Sequence, residues 1–186
     1  MLVGDKVVLR TMRAGDLEEI FKHIHDVRDR GLMGYRLFSE NEYRKKFEES
    51  GFWDLEGEKK GVFCITDLED SLLGFISFWR VSPHMERPSY EVGCRIFRPE
   101  DWGNGYATAA TQICTAWLFD TLDIHRIEAL THTENSGSIH VLEKCGFQHE
   151  GVLRKYFFFR GEVVDANIFS LLREECQALE TYLASK

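Results

Sequence analysis

Glu91-Val92-Gly93-Cys94-Arg95-Ile96-Phe97-Arg98-Pro99-Glu100-Asp101-Trp102-Gly103-Asn104-Gly105-Tyr106-Ala107-Thr108 is the stretch on which the reading of this chain turns. It runs from a strand-like segment through a short turn and a glycine pair into a long helical pattern. Such a turn aims unpaired backbone N–H groups outward at the positive end of a helix dipole, which suits an anion. Glycine lets a phosphate come close to the main chain, although the same glycines also serve a turn that needs them only for its shape. The Gly-Lys-Ser/Thr of a P-loop is absent, and Thr108 stands where a dinucleotide fingerprint would place its third glycine.

Working outward, the neighbouring segments alternate between helix and strand. Val7-Val8-Leu9 opens a strand. Asp16 is placed to cap a helix over 17–25, and Ser39-Glu40-Asn41-Glu42 forms a capping box for a second helix toward Glu49. The apolar runs 62–66 and 72–79, joined through 67–71, predict an antiparallel hairpin. Residues 89–97 form a strand, 126–133 another, and Ser136 opens a short helix that Gly146 stops. Segments 151–159 and 162–172 meet at Arg160-Gly161 as a hairpin, and 173–183 predicts a terminal helix. Residues 102–119 carry no charge, but their glycines, threonines and glutamine indicate a buried helix rather than a membrane span. The expected class is α+β, one domain over 1–186 on a central mixed, mostly antiparallel sheet flanked by helices.

Composition bounds the function. Lys+Arg is 23 and Asp+Glu is 31, a net charge of −8, which argues against direct nucleic-acid binding and suits a cationic or amine substrate. With 44% hydrophobic and 29% charged residues, the chain is that of a folded, water-soluble domain. The five cysteines include no Cys-x-x-Cys pair, so no metal site is expected, and a reducing cytoplasm is the natural compartment. The first residues lack the basic and apolar regions of a signal peptide.

Trp102-Gly103-Asn104-Gly105-Tyr106-Ala107 resembles the coenzyme A pyrophosphate loop of the GNAT acetyltransferases, Gln/Arg-x-x-Gly-x-Gly/Ala. Glu134-Asn135-Ser136-Gly137-Ser138-Ile139-His140-Val141-Leu142-Glu143-Lys144-Cys145-Gly146-Phe147 resembles the family's second block. Glu150-Gly151-Val152-Leu153-Arg154, Gly161 to Asp165 and Ser170-Leu171-Leu172 resemble its RimJ/RimL branch. Trp102 departs from the pattern, and its substitution for Gln or Arg leaves phosphate binding to backbone donors. The resemblance implies a sheet splayed open at a cofactor cleft and direct acetyl transfer from acetyl-CoA to a primary amine. The acceptor would be a protein N-terminus, a small amine or an antimicrobial compound, and the enzyme a monomer or homodimer. A second reading keeps the fold as a non-catalytic acyl-CoA-binding module.

By the same resemblance, Arg95, Ile96 and Phe97 would bind the pantetheine arm through their main chain, and Trp102 to Thr108 the pyrophosphate. Glu91 falls where several members carry a catalytic base, although it could equally be a surface glutamate or pair with Arg95. Ser138 falls at the position of a proton donor to the thiolate, or of a group that only orients the sulfur. Asn135 would bond the pantetheine amides and is also a natural N-cap. Tyr35, Phe38, Phe52 and Trp53 are candidates for an acceptor pocket or for the core. His23 and His25 read as solvated, His132 as a surface residue and Cys94 as a buried structural thiol.

Overall fold

The computed structural model describes residues 1–25, 39–56, 59–81, 88–159 and 161–184. Two of the acceptor-pocket candidates, Tyr35 and Phe38, lie outside them. The strands are β1 (Leu2–Val3), β2 (Val8–Thr11), β3 (Trp53–Asp54), β4 (Lys60–Thr66), β5 (Leu72–Arg80), β6 (Tyr90–Ile96), β7 (Arg126–His132), β8 (Gln148–Phe159) and β9 (Glu162–Leu172). The helices are α1 (Asp16–His25), α2 (Glu40–Ser50), α3 (Tyr106–Thr121) and α4 (Ser136–Lys144). One nine-stranded sheet runs in the order β1-β2-β4-β5-β6-β7-β9-β8, with β3 paired to β4. All its neighbours are antiparallel except β6 and β7.

Alternation sorts the side chains into two layers. Tyr90 and Val92 of β6 join Phe78, Ile127, Ala129 and Phe169 against Ile113, Cys114 and Leu118 of α3. Helix α3 tolerates this burial because its residues are small or apolar nearly all round, with eight of them buried. Phe97, on the other side of β6, packs with Ile20 and Phe21 of α1 beside Phe47 and Phe52. Among the described residues, no helix is long and apolar enough to cross a membrane.

Two local expectations are corrected. Asp16 does not cap the first turn of α1. Its carboxylate turns back to accept the Arg13 N–H at 2.7 Å and two bonds from the Arg10 guanidinium at 2.7 and 2.9 Å. Arg10 is buried on β2 and requires a counterion there. The tail is not a helix but two 3-10 turns, Arg173–Glu175 and Leu179–Thr181. Arg173 anchors it by donating to the carbonyls of Ile124 at 2.8 Å and Leu122 at 2.6 Å. Ala184 N–H bonds the Val3 carbonyl at 2.8 Å, drawing the chain out along β1.

The feature that positions the site is a split in the sheet. Strands β6 and β7 share only the rungs Tyr90–Ile127 and Glu91–Glu128. Beyond them β6 stays paired with β5 as far as Ile96, while β7 stays paired with β9 as far as His132. The two parallel strands therefore diverge, and a wedge-shaped cleft opens between them. Their C-terminal ends lead into α3 and α4, so both helix N-termini stand at its mouth. Ligands in open sheets with helical connections bind outside the carboxyl ends of parallel strands.

Candidate active site

The register of β6 determines which main-chain groups enter the cleft. Phe97 N–H donates to the Leu73 carbonyl at 2.9 Å, and Val81 N–H donates to the Ser89 carbonyl at 3.0 Å. With the pairing that runs from Gly74–Ile96 to Arg80–Tyr90, the odd-numbered residues of β6 exchange their bonds with β5. The Val92 N–H closes the last rung with β7, and the Val92 C=O and both main-chain groups of Cys94 and Ile96 consequently turn into the wedge. Of the three expected pantetheine positions, only Ile96 faces it. Arg95 and Phe97 are committed to β5, while Cys94, whose main chain was not singled out, shares the open edge. Strand parity carries that information, and it becomes readable once the β5 register is known. The Arg95 side chain reaches the His23 carbonyl at 3.4 Å, and the Phe97 ring stacks on His23 at 4.7 Å. His23 is therefore packed rather than solvated.

At the mouth, Pro99–Asp101 makes a single 3-10 turn braced by Arg98 on Asp101 at 2.7 Å. Gly103 and Gly105 follow with φ of +79° and +84°, the left-handed region that favours glycine. A Cβ on Gly103 would meet nothing within 4 Å, so the space above the loop is open. The first-turn N–H groups of Tyr106, Ala107 and Thr108 precede any intrahelical partner. Gly105 offers no capping side chain, and the first turn of α3 contains no acid, whereas those of α1 and α2 are acidic. A helix dipole left uncompensated in this way is prepared for an anion from outside. Asn104 bonds back to the Glu100 carbonyl at 3.4 Å, and the exposed Trp102 donates its indole N–H to the Ile96 carbonyl at 3.2 Å.

Across the wedge, Asn135 caps α4, its side-chain oxygen accepting the Ser138 N–H at 3.1 Å. With that oxygen committed, the amide NH₂ is the end available to a ligand, and the half-buried Ser138 lies one turn into the helix. The Cys145 thiol, 3.6 Å from the Thr108 carbonyl, joins the end of α4 to the start of α3.

Glu91 stands at the last rung before the strands part, on the α1 face of the sheet, with Glu128 beside it on β7. Burial pushes its carboxyl up to about 7, and the neighbouring Glu128 carboxylate adds to the rise. Glu128 is held in turn by Arg126 at 2.8 Å, whose guanidinium also grips Glu150 at 2.8 and 2.5 Å. Arg126 and Ser170 together hold Glu150 down to about 2. Neither Glu128 nor Arg126 was singled out from the sequence, because their proximity to Glu91 exists only in the parallel pairing. The Cys94 thiol, raised to about 12 by burial, is inert as a nucleophile. Trp53 belongs to the core, its ring lying 4.8 Å from Phe63 and 5.6 Å from both Phe78 and Trp117 on the face opposite Glu91. Phe52 packs at 4.5 Å on Tyr43. His132 accepts the Glu134 N–H through Nδ1 at 3.1 Å and serves the turn into α4. Among the described residues, no group of His, Cys, Asp or Glu is placed to hold a metal ion.

A mixed sheet split between two parallel strands, with an uncapped glycine-loop helix at the mouth and a carboxylate at the apex, defines an acyl-CoA-dependent transferase. The chain belongs to the GNAT acetyltransferase family, whose domain matches residues 6–148. It is 30% identical over 175 residues to the uncharacterized N-acetyltransferase YoaA of Bacillus subtilis, covering 93% of this chain and 97% of that one. It is 24% identical to the spermidine N(1)-acetyltransferase of Vibrio cholerae, over 93% of this chain and 96% of the relative. The crystal structure of spermidine N-acetyltransferase from Vibrio cholerae with CoA and spermine superposes with a TM-score of 0.78, at 24% identity and over 91% and 96% of the two chains. The microcin C7 self-immunity acetyltransferase MccE with acetyl-CoA and AMP superposes at 0.76, at 23% identity and over 90% and 93%. The protein is thus an acetyl-CoA-dependent N-acetyltransferase, with acetyl-CoA as its co-substrate.

Proposed function

We propose that this enzyme acetylates the primary amine of a small cationic acceptor, with Glu91 as general base, in the cytoplasm. The observation that carries the proposal is the half-buried carboxylate at the apex of the wedge, its proton affinity raised to near neutrality. An alkyl ammonium, with a pKa of about 10.4, must lose a proton before it can attack a thioester. A carboxylate near 7 can accept that proton directly or through a water, a contribution of about 10²–10⁴-fold in rate. The same ionised state meets the arriving cation as an anion. The open main-chain edge at Cys94 and Ile96, with the Asn135 amide opposite, would hold the pantetheine arm in the manner of an added strand. The loop from Trp102 to Thr108 would hold the pyrophosphate through backbone N–H groups. Ser138 would orient the sulfur or return a proton to the departing thiolate. The net charge of −8 and the spermidine-acetylating relatives support a cationic small amine over a protein N-terminus. The segments around Glu150–Arg154 and Ser170–Leu172 support a RimJ/RimL-like place within the family.

The test is acetyl-CoA-dependent thiol release against polyamines, aminoacyl compounds and N-terminal peptides. Release with polyamines or other small cations is expected, and release with N-terminal peptides alone would refute the acceptor class. Gly105→Val, which puts a β-branched side chain where φ is +84°, should sharply weaken acetyl-CoA binding by calorimetry. Unchanged affinity in a folded variant would refute the loop assignment.

A further inference from the structure

We propose that Lys6, which lies outside every motif of the chain, provides the cation for the coenzyme A pyrophosphate. The inference rests on the reading of the glycine loop given above. That loop has Trp102 where a Gln or Arg is the family pattern, so the motif itself supplies no charge. The fold supplies one from the other end of the sequence. Lys6 Nζ donates to the Asn104 carbonyl at 3.2 Å, across 98 positions of chain. It also lies 3.3 Å from where a Cβ on Gly105 would be, directly over the cradle that glycine keeps open.

Topology explains the meeting. Val8 pairs with Thr66, Thr66 with Leu72, and Gly74 with Ile96, so the start of β2 and the end of β6 lie at the same end of the sheet. The turn before β2 is fastened by Gly4 N–H on the Val7 carbonyl at 2.9 Å, and Val7 is fully buried. Gly4 presses on the flank of α3 so closely that a Cβ there would stand 2.6 Å from Ile113 Cδ1. Lys6 is therefore held beside α3 by packed neighbours, although its own side chain is exposed.

Its electrostatic setting points to a ligand. An ammonium beside the positive end of a helix dipole is repelled by it. Among the described residues Lys6 forms no ion pair, and the first turn of α3 carries no acid to offset the repulsion. A pyrophosphate seated on the loop would satisfy the helix and the lysine at once, through charge-assisted hydrogen bonds from both.

Calorimetry with Lys6→Met, which keeps the bulk and removes the charge, tests the assignment on the full chain. Kd for CoA should rise roughly three- to tenfold, as for loss of one exposed charge-assisted bond. The rise should be equal for dephospho-CoA, should shrink at high salt, and should be largely reversed in Lys6→Arg. Pantetheine, which has no phosphates, should bind the variant and wild type alike. An unchanged Kd for Lys6→Met alongside a weakened Gly105→Val would overturn the role of Lys6 and spare the loop. An unchanged Kd in both variants would overturn the loop reading as well. A loss seen with CoA but not with dephospho-CoA would place Lys6 on the 3′-phosphate and refute the pyrophosphate assignment.

Discussion

Replacing Glu91 by glutamine should slow acetyl transfer and, at alkaline pH, make the folded protein harder to unfold. The second effect follows from the same burial as the first. A glutamate moved from its ordinary 4.5 to about 7 is disfavoured as an anion in the folded state. Below pH 4.5 both folded and unfolded chains carry the proton, and the group contributes nothing to stability. Between 4.5 and 7 the unfolded chain releases the proton and the folded chain retains it, so stability falls as the pH rises. Above 7 the penalty is complete, at most about 3 kcal/mol. Water entering the wedge screens part of it, leaving about 1–2 kcal/mol. Glutamine, of the same shape and uncharged, never incurs this penalty. Calorimetric melts at pH 5 and 8.5 should therefore show a gap between Glu91→Gln and wild type that widens by roughly 2–8 °C at the higher pH. In the same variant, kcat should drop at least about tenfold near neutrality, and the acid limb near pH 7 should disappear. A gap that does not change with pH would mean the carboxylate is not desolvated, and a wild-type pH–rate profile would remove it from the chemistry.

Glu128→Gln removes the like charge beside Glu91, so the acid limb of the pH–rate profile should shift to lower pH, and an unmoved limb would show that Glu128 does not act on Glu91. For Asp16, burial pushes the carboxyl up, but the bonds from Arg10 and the Arg13 N–H outweigh it and hold the group below its ordinary value. Asp16→Asn should cost about 3 kcal/mol in urea unfolding at neutral pH by stranding the buried Arg10 with Asp70. Because the wild type loses that stabilisation as pH falls through the lowered Asp16 value, the deficit should shrink in acid, and a deficit independent of pH would refute the ion-pair account.

The fold was readable where signals are local. The glycine loop, the Ser39 cap on the Glu42 N–H and the Gly146 stop each depend on a few adjacent residues, and each lies where the sequence indicates. What escaped depends on partners distant in the chain. Asp16 has the side chain of a cap, yet a buried arginine six residues earlier competes for it more strongly. Trp53 could have faced either side of the sheet, and its contact with Trp117 of α3 is invisible until the sheet has formed. Glu91 is singled out by its place in a motif. Glu128 and Lys6 belong to no motif, since their distance from the site is closed only by a parallel rung in one case and three antiparallel pairings in the other.

A sheet torn open in mid-span exposes a row of backbone donors and acceptors, the same template on which stray strands from other molecules could zip and aggregate. The Trp102 indole on the Ile96 carbonyl takes one of those acceptors, at the last residue of β6. The tryptophan thus shortens the open row by one acceptor, so a stray strand would find fewer rungs there than the split alone would leave.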